Sequence, residues 1–174
     1  MDKEKISILD HGTEIINGIK NGAFLTTKYN DKVNSMVIEW GTVGMLWGKQ
    51  VFICYVRESR YTRELLDKNP EFTINIPTKE YDKKIFKICG TKSGRDIDKI
   101  KETGLTIIEG NEVSTPAFKE LPLTIECKLI YRQEQDTSLI PDNIKNMFYR
   151  TNEYGGEHIT YIGEIVDAYI LKEE

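Results

Sequence analysis

Residues 123–131 read LTIECKLIY, and their pattern decides the fold. Apolar side chains at every second position alternate with a second set that begins with Thr124, Glu126 and Lys128 and ends with Ile130. A period of two is typical of an antiparallel strand with one face on a core and the other in solvent. Further runs with strand character lie at 33–40, 50–56, 72–76, 105–109 and 161–171.

The segments predicted to be helical are short and lie between these strands. They cover 60–68, 79–89, 97–103 and 143–150. The expected N-caps of the first three are Ser59, Thr78 and Asp96. Gly90 and Gly104 are expected to close the second and third helices. Because the helices are too few and too irregularly placed for parallel βαβ units, the sequence predicts a mainly β protein with short helices, built as a closed or partly closed antiparallel barrel.

Length and composition narrow the functional classes. The 174 residues predict a single domain over residues 1–174, and the net charge of −4 disfavours nucleic-acid binding, which depends on clustered cations. The longest apolar run, 51–56, is far shorter than the roughly 20 residues that span a bilayer, and residues 1–12 have no apolar signal segment. Three cysteines without CxxC spacing and two distant histidines predict reduced thiols, no metal site and a cytoplasmic location.

An arginine cluster is the sharpest local signal. Arg57, Arg60 and Arg63 fall within seven residues, although lysine far outnumbers arginine in the chain. They join the end of an apolar strand to the start of a helix, where guanidinium groups, hydroxyls and free backbone N–H groups converge. This combination predicts an anion site. The alternative is a solvated helix start whose arginines pair with Glu58 and Glu64.

Two other stretches complete a candidate ligand site. Residues 89–99, CGTKSGRDIDK, form a loop rich in donors ahead of a helix, but they lack the spacing of a P-loop. Gly41, Gly44 and Gly48 do not form a dinucleotide-binding fingerprint and are predicted to lie in tight turns. Residues 34–40, NSMVIEW, begin with small polar groups and end with an indole. Together the three stretches suit a ligand with a phosphate at one end and a flat heteroaromatic ring at the other.

At these residues the sequence resembles the flavin reductase-like, flavoredoxin-type family of FMN-binding split barrels. The resemblance extends over roughly residues 15–171 and rests on five segments in matching order: 34–40, 47–49, 57–62, 89–99 and 158–165. It implies an antiparallel FMN-binding split β-barrel. It also implies a homodimer in which each barrel holds FMN without a covalent bond near the subunit interface.

The resemblance further implies a set of cofactor-binding residues. Those expected at the isoalloxazine ring and ribityl chain are Asn34, Ser35, Met36, Val37 and Trp40. Those expected at the phosphate are Arg57, Ser59, Arg60 and Thr62. Those expected to close over the cofactor are Ser93, Gly94 and Lys99. His158 resembles a family histidine that orients the nicotinamide or polarises the ring; its alternative is a surface histidine before a strand.

The implied activity is that of an NAD(P)H-dependent flavin reductase, which passes electrons through FMN to free flavin, a small molecule or a redox protein. A non-enzymatic FMN electron carrier reduced by a protein donor is the main alternative. A third reading is a cofactor-free interaction domain. Cys89 lies beside the proposed cofactor loop, but the C-terminal end of a helix does not lower a thiol pKa, so packing is favoured over a redox role.

Overall fold

The computed structural model describes residues 1–149 and 156–172. Their strands are β1 Lys3–Lys5, β2 Ala23–Tyr29, β3 Lys32–Ile38, β4 Gly41–Leu46, β5 Lys49–Arg57, β6 Glu71–Ile76, β7 Ile107–Ile108, β8 Ala117–Phe118, β9 Leu123–Glu134 and β10 His158–Leu171. Their helices are α1 Gly12–Asn21, α2 Tyr61–Leu66, α3 Lys83–Thr91, α4 Lys99–Thr103 and α5 Asp142–Phe148, with a 3₁₀ turn at Thr137–Leu139. None of these helices is long and apolar enough to cross a membrane.

One antiparallel sheet forms the body of the fold. Its strand order is β3-β2-β6-β9-β10-β5-β4, and β1 joins it by pairing with β10. The two edge strands, β3 and β4, are separated in the chain only by Glu39 and Trp40. The sheet must therefore curl until its edges approach each other at that end. This arrangement confirms the predicted antiparallel split barrel.

The stretch 123–131 lies at the centre of the sheet, as its pattern predicts. Leu123, Ile125 and Cys127 point into the barrel core, which they share with large buried side chains such as Phe72 and Tyr161. The opposite face departs from the prediction, because Thr124 and Glu126 are fully buried as well. A polar strand face can be buried only where its groups find hydrogen-bond partners.

Glu126 obtains its partners from the segment that covers this face. Its carboxylate accepts backbone N–H hydrogen bonds from Asn111 and Glu112, both at 2.7 Å, and from Val113 at 3.2 Å. The carboxylate thus fastens the covering loop to β9. Hydrogen bonds to a charged acceptor are stronger than neutral ones, and buried donors left without partners are costly.

We therefore expect Glu126→Gln to lower the free energy of unfolding by about 1–3 kcal/mol, because an amide cannot accept all three hydrogen bonds. Urea unfolding followed by circular dichroism measures the change. Glu164→Gln is the matched control, since Glu164 pairs with Lys49 at 2.7 Å in a partly exposed position and should matter by less than about 1 kcal/mol. Equal losses in the two variants would contradict the assigned role of Glu126.

Helix α1 and strands β2 and β4 are not predicted from the sequence patterns. The prediction that Gly41 and Gly44 lie in tight turns is wrong, since both are residues of β4. Gly48 does lie in a turn. It forms the two-residue connection between β4 and β5 together with Trp47, and both residues have positive φ values, 71° and 52°. Two positive φ values are the mark of a type I′ hairpin turn, whose twist matches that of the strands.

The helix starts are also displaced from their predicted positions. The N-cap predictions at Ser59 and Thr78 are wrong, because Arg60 and Asp82 occupy the N-caps of α2 and α3. The Asp82 carboxylate accepts the backbone N–H of Lys84 at 2.8 Å. A carboxylate at the right dihedral angles therefore replaces the earlier hydroxyl as the cap.

The remaining helix boundaries follow the same logic. Asp98 rather than Asp96 caps α4, with its carboxylate 3.1 Å from two backbone nitrogens. Gly104 closes α4 in the left-handed conformation as predicted, whereas Gly90 lies inside α3. The predicted helix 143–150 is observed as α5, and Arg150 lies outside the described residues. The predicted strand 105–109 is reduced to β7.

Candidate functional site

The free edge of β3 is the backbone platform of the site. β3 pairs with β2 through the register Thr26↔Ser35, and no described strand pairs with its other side. Along an antiparallel strand, successive residues direct their N–H and C=O groups to alternate sides. The Ser35 carbonyl faces the open side, because it accepts a hydrogen bond from Lys99 Nζ at 3.0 Å. The N–H groups of Ser35 and Val37 face the same open side.

Lys99 is a buried cation beneath this edge. Its side chain is 4% exposed, and its ammonium also donates to the carbonyl of Cys89 at 3.0 Å. It therefore joins β3 to the C-terminal end of α3 and retains a third N–H. Burial lowers the pKa of Lys99 to about 8, an effect that Cys89 opposes and Arg60 reinforces.

A cavity of about 130 Å³ lies above Lys99, and we call it the anion cavity. It is bounded by the turn before α2, by α2 itself and by the loop after α3. The lining residues with side-chain donors are Asn34, Ser59, Arg60, Tyr61, Thr62, Thr91, Lys92, Ser93, Arg95 and Lys99. Both the arginine cluster and the loop 89–99 thus contribute to one cavity, as the sequence suggested.

The arginines around the anion cavity differ in what they bind. Arg95 donates to Glu64 at 3.1 Å and to the Ser59 carbonyl at 2.9 Å, so it fastens the loop 91–98 to the turn before α2. Arg63 donates to the Glu58 carbonyl and pairs with Asp67 at 3.3 Å, outside the cavity. The Arg60 guanidinium has no hydrogen bond or ion pair to any described residue. Arg60 is therefore the arginine that remains available to a ligand.

The alternative to an anion site is a solvated helix start whose arginines pair with Glu58 and Glu64, and the contacts agree with it only in part. Glu64 does bind an arginine, but its partner is Arg95 from the distant loop, and this hydrogen bond holds the Glu64 pKa below its usual range. Glu58 offers Arg63 its backbone carbonyl. Neither glutamate pairs with Arg60.

Asn34 supplies an unusual buried acceptor. Its Nδ2 donates to Thr62 Oγ1 at 2.7 Å, whereas its buried Oδ1 has no partner among the described residues. The Thr62 hydroxyl keeps its own hydrogen for donation. A buried polar atom without a partner calls for an explanation such as a missing ligand group. Because Asn34 also lines the anion cavity, a ligand hydroxyl is a suitable partner for it.

A second cavity of about 290 Å³ adjoins the first, and we call it the ring cavity. Its lining residues are Met36, Val37, Ile38, Glu39, Trp40, Tyr55, Arg57, Arg60, Phe148 and His158. The two cavities share Met36 and Arg60. The anion-cavity end of the combined space is thus rich in donors, and the other end combines aromatic and apolar groups with the charged side chains of Glu39, Arg57 and Arg60.

The walls of the ring cavity are fixed by contacts between distant segments. Arg57 does not line the anion cavity; its guanidinium donates to the carbonyls of Gly156 at 2.8 Å and Phe148 at 2.9 Å. The Trp40 ring lies 5.1 Å from the Phe148 ring, edge to face, and 5.0 Å from His158. Arg57 thus lines the ring cavity, where its hydrogen bonds hold the backbone at Gly156 and Phe148.

His158 is buried at the back of the ring cavity and is 6% exposed. Burial lowers its pKa to about 4, and the positive charges of Arg57 and Arg60 act in the same direction. The imidazole is consequently neutral at pH 7. Its Nδ1 lies 2.9 Å from the Tyr149 hydroxyl, so the ring is held in place and is not a surface group.

Ser35 and Cys89 are two further buried residues beside the site. The Ser35 hydroxyl is fully buried and accepts a hydrogen bond from Thr26 at 3.1 Å, so Ser35 offers the site only its backbone. Cys89 lines the anion cavity, and burial raises the pKa of its thiol to about 11. A thiol of that pKa is protonated at pH 7, which favours packing over a thiolate relay.

Tyr55 and Phe148 are site residues that the sequence reasoning missed. Tyr55 precedes Arg57 by two positions in β5, so strand alternation could have placed it on the same face. Phe148 is distant in sequence and carries no such signal. Glu39 also borders the ring cavity, just after the end of β3 at Ile38.

Comparisons with known proteins agree with this fold. Residues 20–174 match the family model described as flavin reductase like domain. An uncharacterized protein of Archaeoglobus fulgidus is 29% identical to this chain over 136 residues. The match covers 78% of this chain and 64% of that relative. The flavoredoxin of Desulfovibrio vulgaris is 26% identical, with a TM-score of 0.67 over 87% of this chain and 69% of that one.

A further structure shares the fold alone. An FMN-binding domain of a flavin reductases-like enzyme from Shewanella baltica superposes with a TM-score of 0.70 at 16% identity. The match covers 97% of this chain and 77% of that one.

Proposed function

The chain belongs to the flavin reductase-like domain family, and from this premise we propose that it binds FMN without a covalent bond and passes electrons from NAD(P)H to an acceptor. The acceptor is free flavin, a small molecule or a redox protein. The observation that carries the proposal is the pair of adjoining cavities, which share Met36 and Arg60. One is lined mainly by hydrogen-bond donors, and the other by aromatic, apolar and charged side chains.

The residues present fit this cofactor. A phosphate in the anion cavity would meet the Arg60 guanidinium, which has no partner among the described residues, the hydroxyls of Ser59 and Thr62 and the third N–H of Lys99. A ribityl hydroxyl suits the Asn34 Oδ1, to which no described residue donates. Charge-assisted hydrogen bonds of this kind contribute about 1.5–3 kcal/mol each when shielded from water.

The ring cavity fits the other half of the cofactor. Bound FMN would supply hydride acceptance and onward electron transfer. The open edge of β3 offers the backbone N–H groups of Ser35 and Val37 to the ring. Trp40 and Met36 would border it with apolar surface, and neutral His158 would offer a polar group without adding a charge.

An absorbance spectrum of the purified protein is the first test. We expect the flavin bands in the visible range at one FMN per chain, and anaerobic addition of NADH or NADPH should bleach them. A colourless protein that also fails to take up FMN on reconstitution would favour the cofactor-free interaction domain and contradict the proposal.

A non-enzymatic electron carrier is the second candidate, and the likeness to a flavoredoxin at 26% identity favours it. Both candidates need the same cofactor site. Steady-state consumption of NADH or NADPH with free flavin or ferricyanide as acceptor supports the enzyme. Rapid reduction by a protein donor such as a ferredoxin, without nicotinamide oxidation, supports the carrier.

The buried ammonium of Lys99 gives the FMN affinity a pH dependence. Because the pKa of Lys99 is about 8, its ammonium is charged below that pH and loses its proton above it. We expect the dissociation constant for FMN to rise about tenfold as the pH increases from 7 to above 9. Fluorescence quenching of FMN during titration of the apoprotein measures this change.

Two variants test whether Lys99 causes this stepwise rise of the FMN dissociation constant with pH. Lys99→Met should bind FMN weakly at pH 7 and show a flat profile near pH 8. Lys92→Met, which removes an exposed lysine from the same cavity, should keep the step. A step that persists in Lys99→Met would assign the pH dependence to another group.

We also propose that the protein is a homodimer. None of the seven residues of α5 is buried, and Ile144, Met147 and Phe148 on it are exposed. Apolar surface of this extent on a helix is typical of an interface. Light scattering should give a mass of about 40 kDa, twice that of the 20.1 kDa chain, and a mass near 20 kDa would contradict the dimer.

A further inference from the structure

The imidazole of His158 is held from one side by a tyrosine. The Tyr149 hydroxyl lies 2.9 Å from His158 Nδ1, and the two rings meet edge to face at 5.5 Å. The same hydroxyl donates to Gln135 Oε1 at 3.1 Å. One hydrogen-bonded chain thus links three side chains: His158 of β10, Tyr149 after α5 and Gln135 after β9.

The hydrogen atoms in this chain determine the tautomer of His158. A tyrosine hydroxyl has one hydrogen to donate, and here Gln135 accepts it. The oxygen therefore presents a lone pair to Nδ1, which must carry the imidazole hydrogen. In a neutral imidazole the other nitrogen, Nε2, is then an acceptor.

The surroundings of the other ring edge agree with this assignment. His158 lines the ring cavity and Tyr149 does not, so the edge opposite Nδ1 faces the cavity. His158 Nε2 has no hydrogen bond to any described residue. Arg57 and Arg60 line the same cavity, and two cations favour a lone pair over an N–H group directed towards them.

We propose that Tyr149, held by Gln135, is a positioning residue that keeps His158 as an acceptor towards the ring cavity. Nε2 then accepts a hydrogen bond from an N–H group of the ring bound there, and it would repel a ring that presents only acceptors. The identity of that ring as a flavin or nicotinamide rests on the proposed function. The tautomer itself does not.

The nitrogen-15 NMR spectrum of the imidazole measures the tautomer directly. His11→Asn removes the only other histidine and serves as the background. In that background we expect Nε2 to be the unprotonated nitrogen at pH 7. Tyr149→Phe should move the hydrogen largely to Nε2, because Nδ1 loses its acceptor.

Gln135 provides a test that leaves the Tyr149 ring in place. In Gln135→Leu the tyrosine hydroxyl loses its acceptor and turns to donate to Nδ1, so the tautomer should switch. In Gln135→Glu the carboxylate still accepts, and the original tautomer should persist. Tyr131→Phe is the matched control, since it removes a similar tyrosine–glutamine hydrogen bond of 3.0 Å to Gln133 away from His158.

The outcomes separate this inference from the proposed function. A protonated Nε2 in the background protein, or an unchanged tautomer in Gln135→Leu and Tyr149→Phe, would overturn the inference whether or not flavin binds. If the tautomer switches, kcat/KM for NADH should fall about 2- to 10-fold, the range for one neutral hydrogen bond. If the His158 tautomer switches and kcat/KM stays unchanged, Nε2 does not act as a hydrogen-bond acceptor for the bound ring. A background protein that binds no flavin would instead refute the proposed function.

Discussion

Replacing Arg60 by alanine should weaken FMN binding about 10- to 150-fold. The expected loss corresponds to about 1.5–3 kcal/mol for a charge-assisted hydrogen bond, and Arg60 is well suited to make it because its guanidinium has no described partner. The double variant Ser59→Ala/Arg60→Ala removes a second donor from the anion cavity and should be purified without FMN. Titration of each apoprotein with FMN measures the affinity.

Arg63→Ala is the matched control for this prediction. Arg63 lies in the same cluster but binds Glu58 and Asp67 outside the anion cavity, so its removal should leave FMN affinity within about threefold. Retention of stoichiometric FMN by the Ser59→Ala/Arg60→Ala variant would count strongly against the anion site. Equal effects of Arg60→Ala and Arg63→Ala would mean that net charge, not a positioned guanidinium, binds the phosphate.

Replacing Gly94 by alanine should have the second-largest effect, about tenfold or more in FMN affinity. A Cβ atom at this position would lie 2.1 Å from Asn34 Oδ1 and 2.9 Å from the Tyr61 ring. Either Asn34 gives up its hydrogen bond to Thr62 or the loop moves away from the anion cavity. Overpacking of this kind also costs about 1–3 kcal/mol of stability, which a melting curve would show.

Gly90→Ala is the control that shows whether this region tolerates alanine at a position where no clash is expected. Gly90 lines the same cavity, but a Cβ there would meet Val37 at an ordinary 3.6 Å. The position is helical, so alanine should be tolerated or slightly stabilising. An affinity loss in Gly90→Ala as large as that in Gly94→Ala would contradict the clash at Asn34.

The barrel could be predicted from the sequence because its central strands carry local patterns. The alternation over 123–131 survives in β9, where Leu123, Ile125 and Cys127 face the core. The burial of Glu126 could not be predicted in this way. Its partners are the backbone N–H groups of Asn111 to Val113. The sequence of β9 itself contains no pattern that predicts a covering loop.

At the candidate site, too, local patterns predict some features, whereas others depend on partners that are distant in sequence. Residue types and spacing predict an anion site in the arginine cluster, and this site stays a prediction. They were not enough to separate Arg60 from Arg57, because the partners of Arg57 are the carbonyls of Phe148 and Gly156, about a hundred positions away. Only the folded structure shows which guanidinium is already engaged.

Two elements that contain paired glycines, α1 and β4, were missed for physical reasons. Helix α1 contains Gly12 and Gly18, which are poor helix formers, and it is stabilised by burying Ile15 and Ile19. Strand β4 contains two glycines and is defined by its pairing with β5. In both cases tertiary packing outweighs local propensity.

A crystal structure of the protein with FMN tests the central claim most directly. We expect the phosphate in the anion cavity, within hydrogen-bond distance of Arg60 and Lys99, and the ring along the open edge of β3 between Met36 and Trp40. FMN bound elsewhere, with the anion cavity empty, would contradict it.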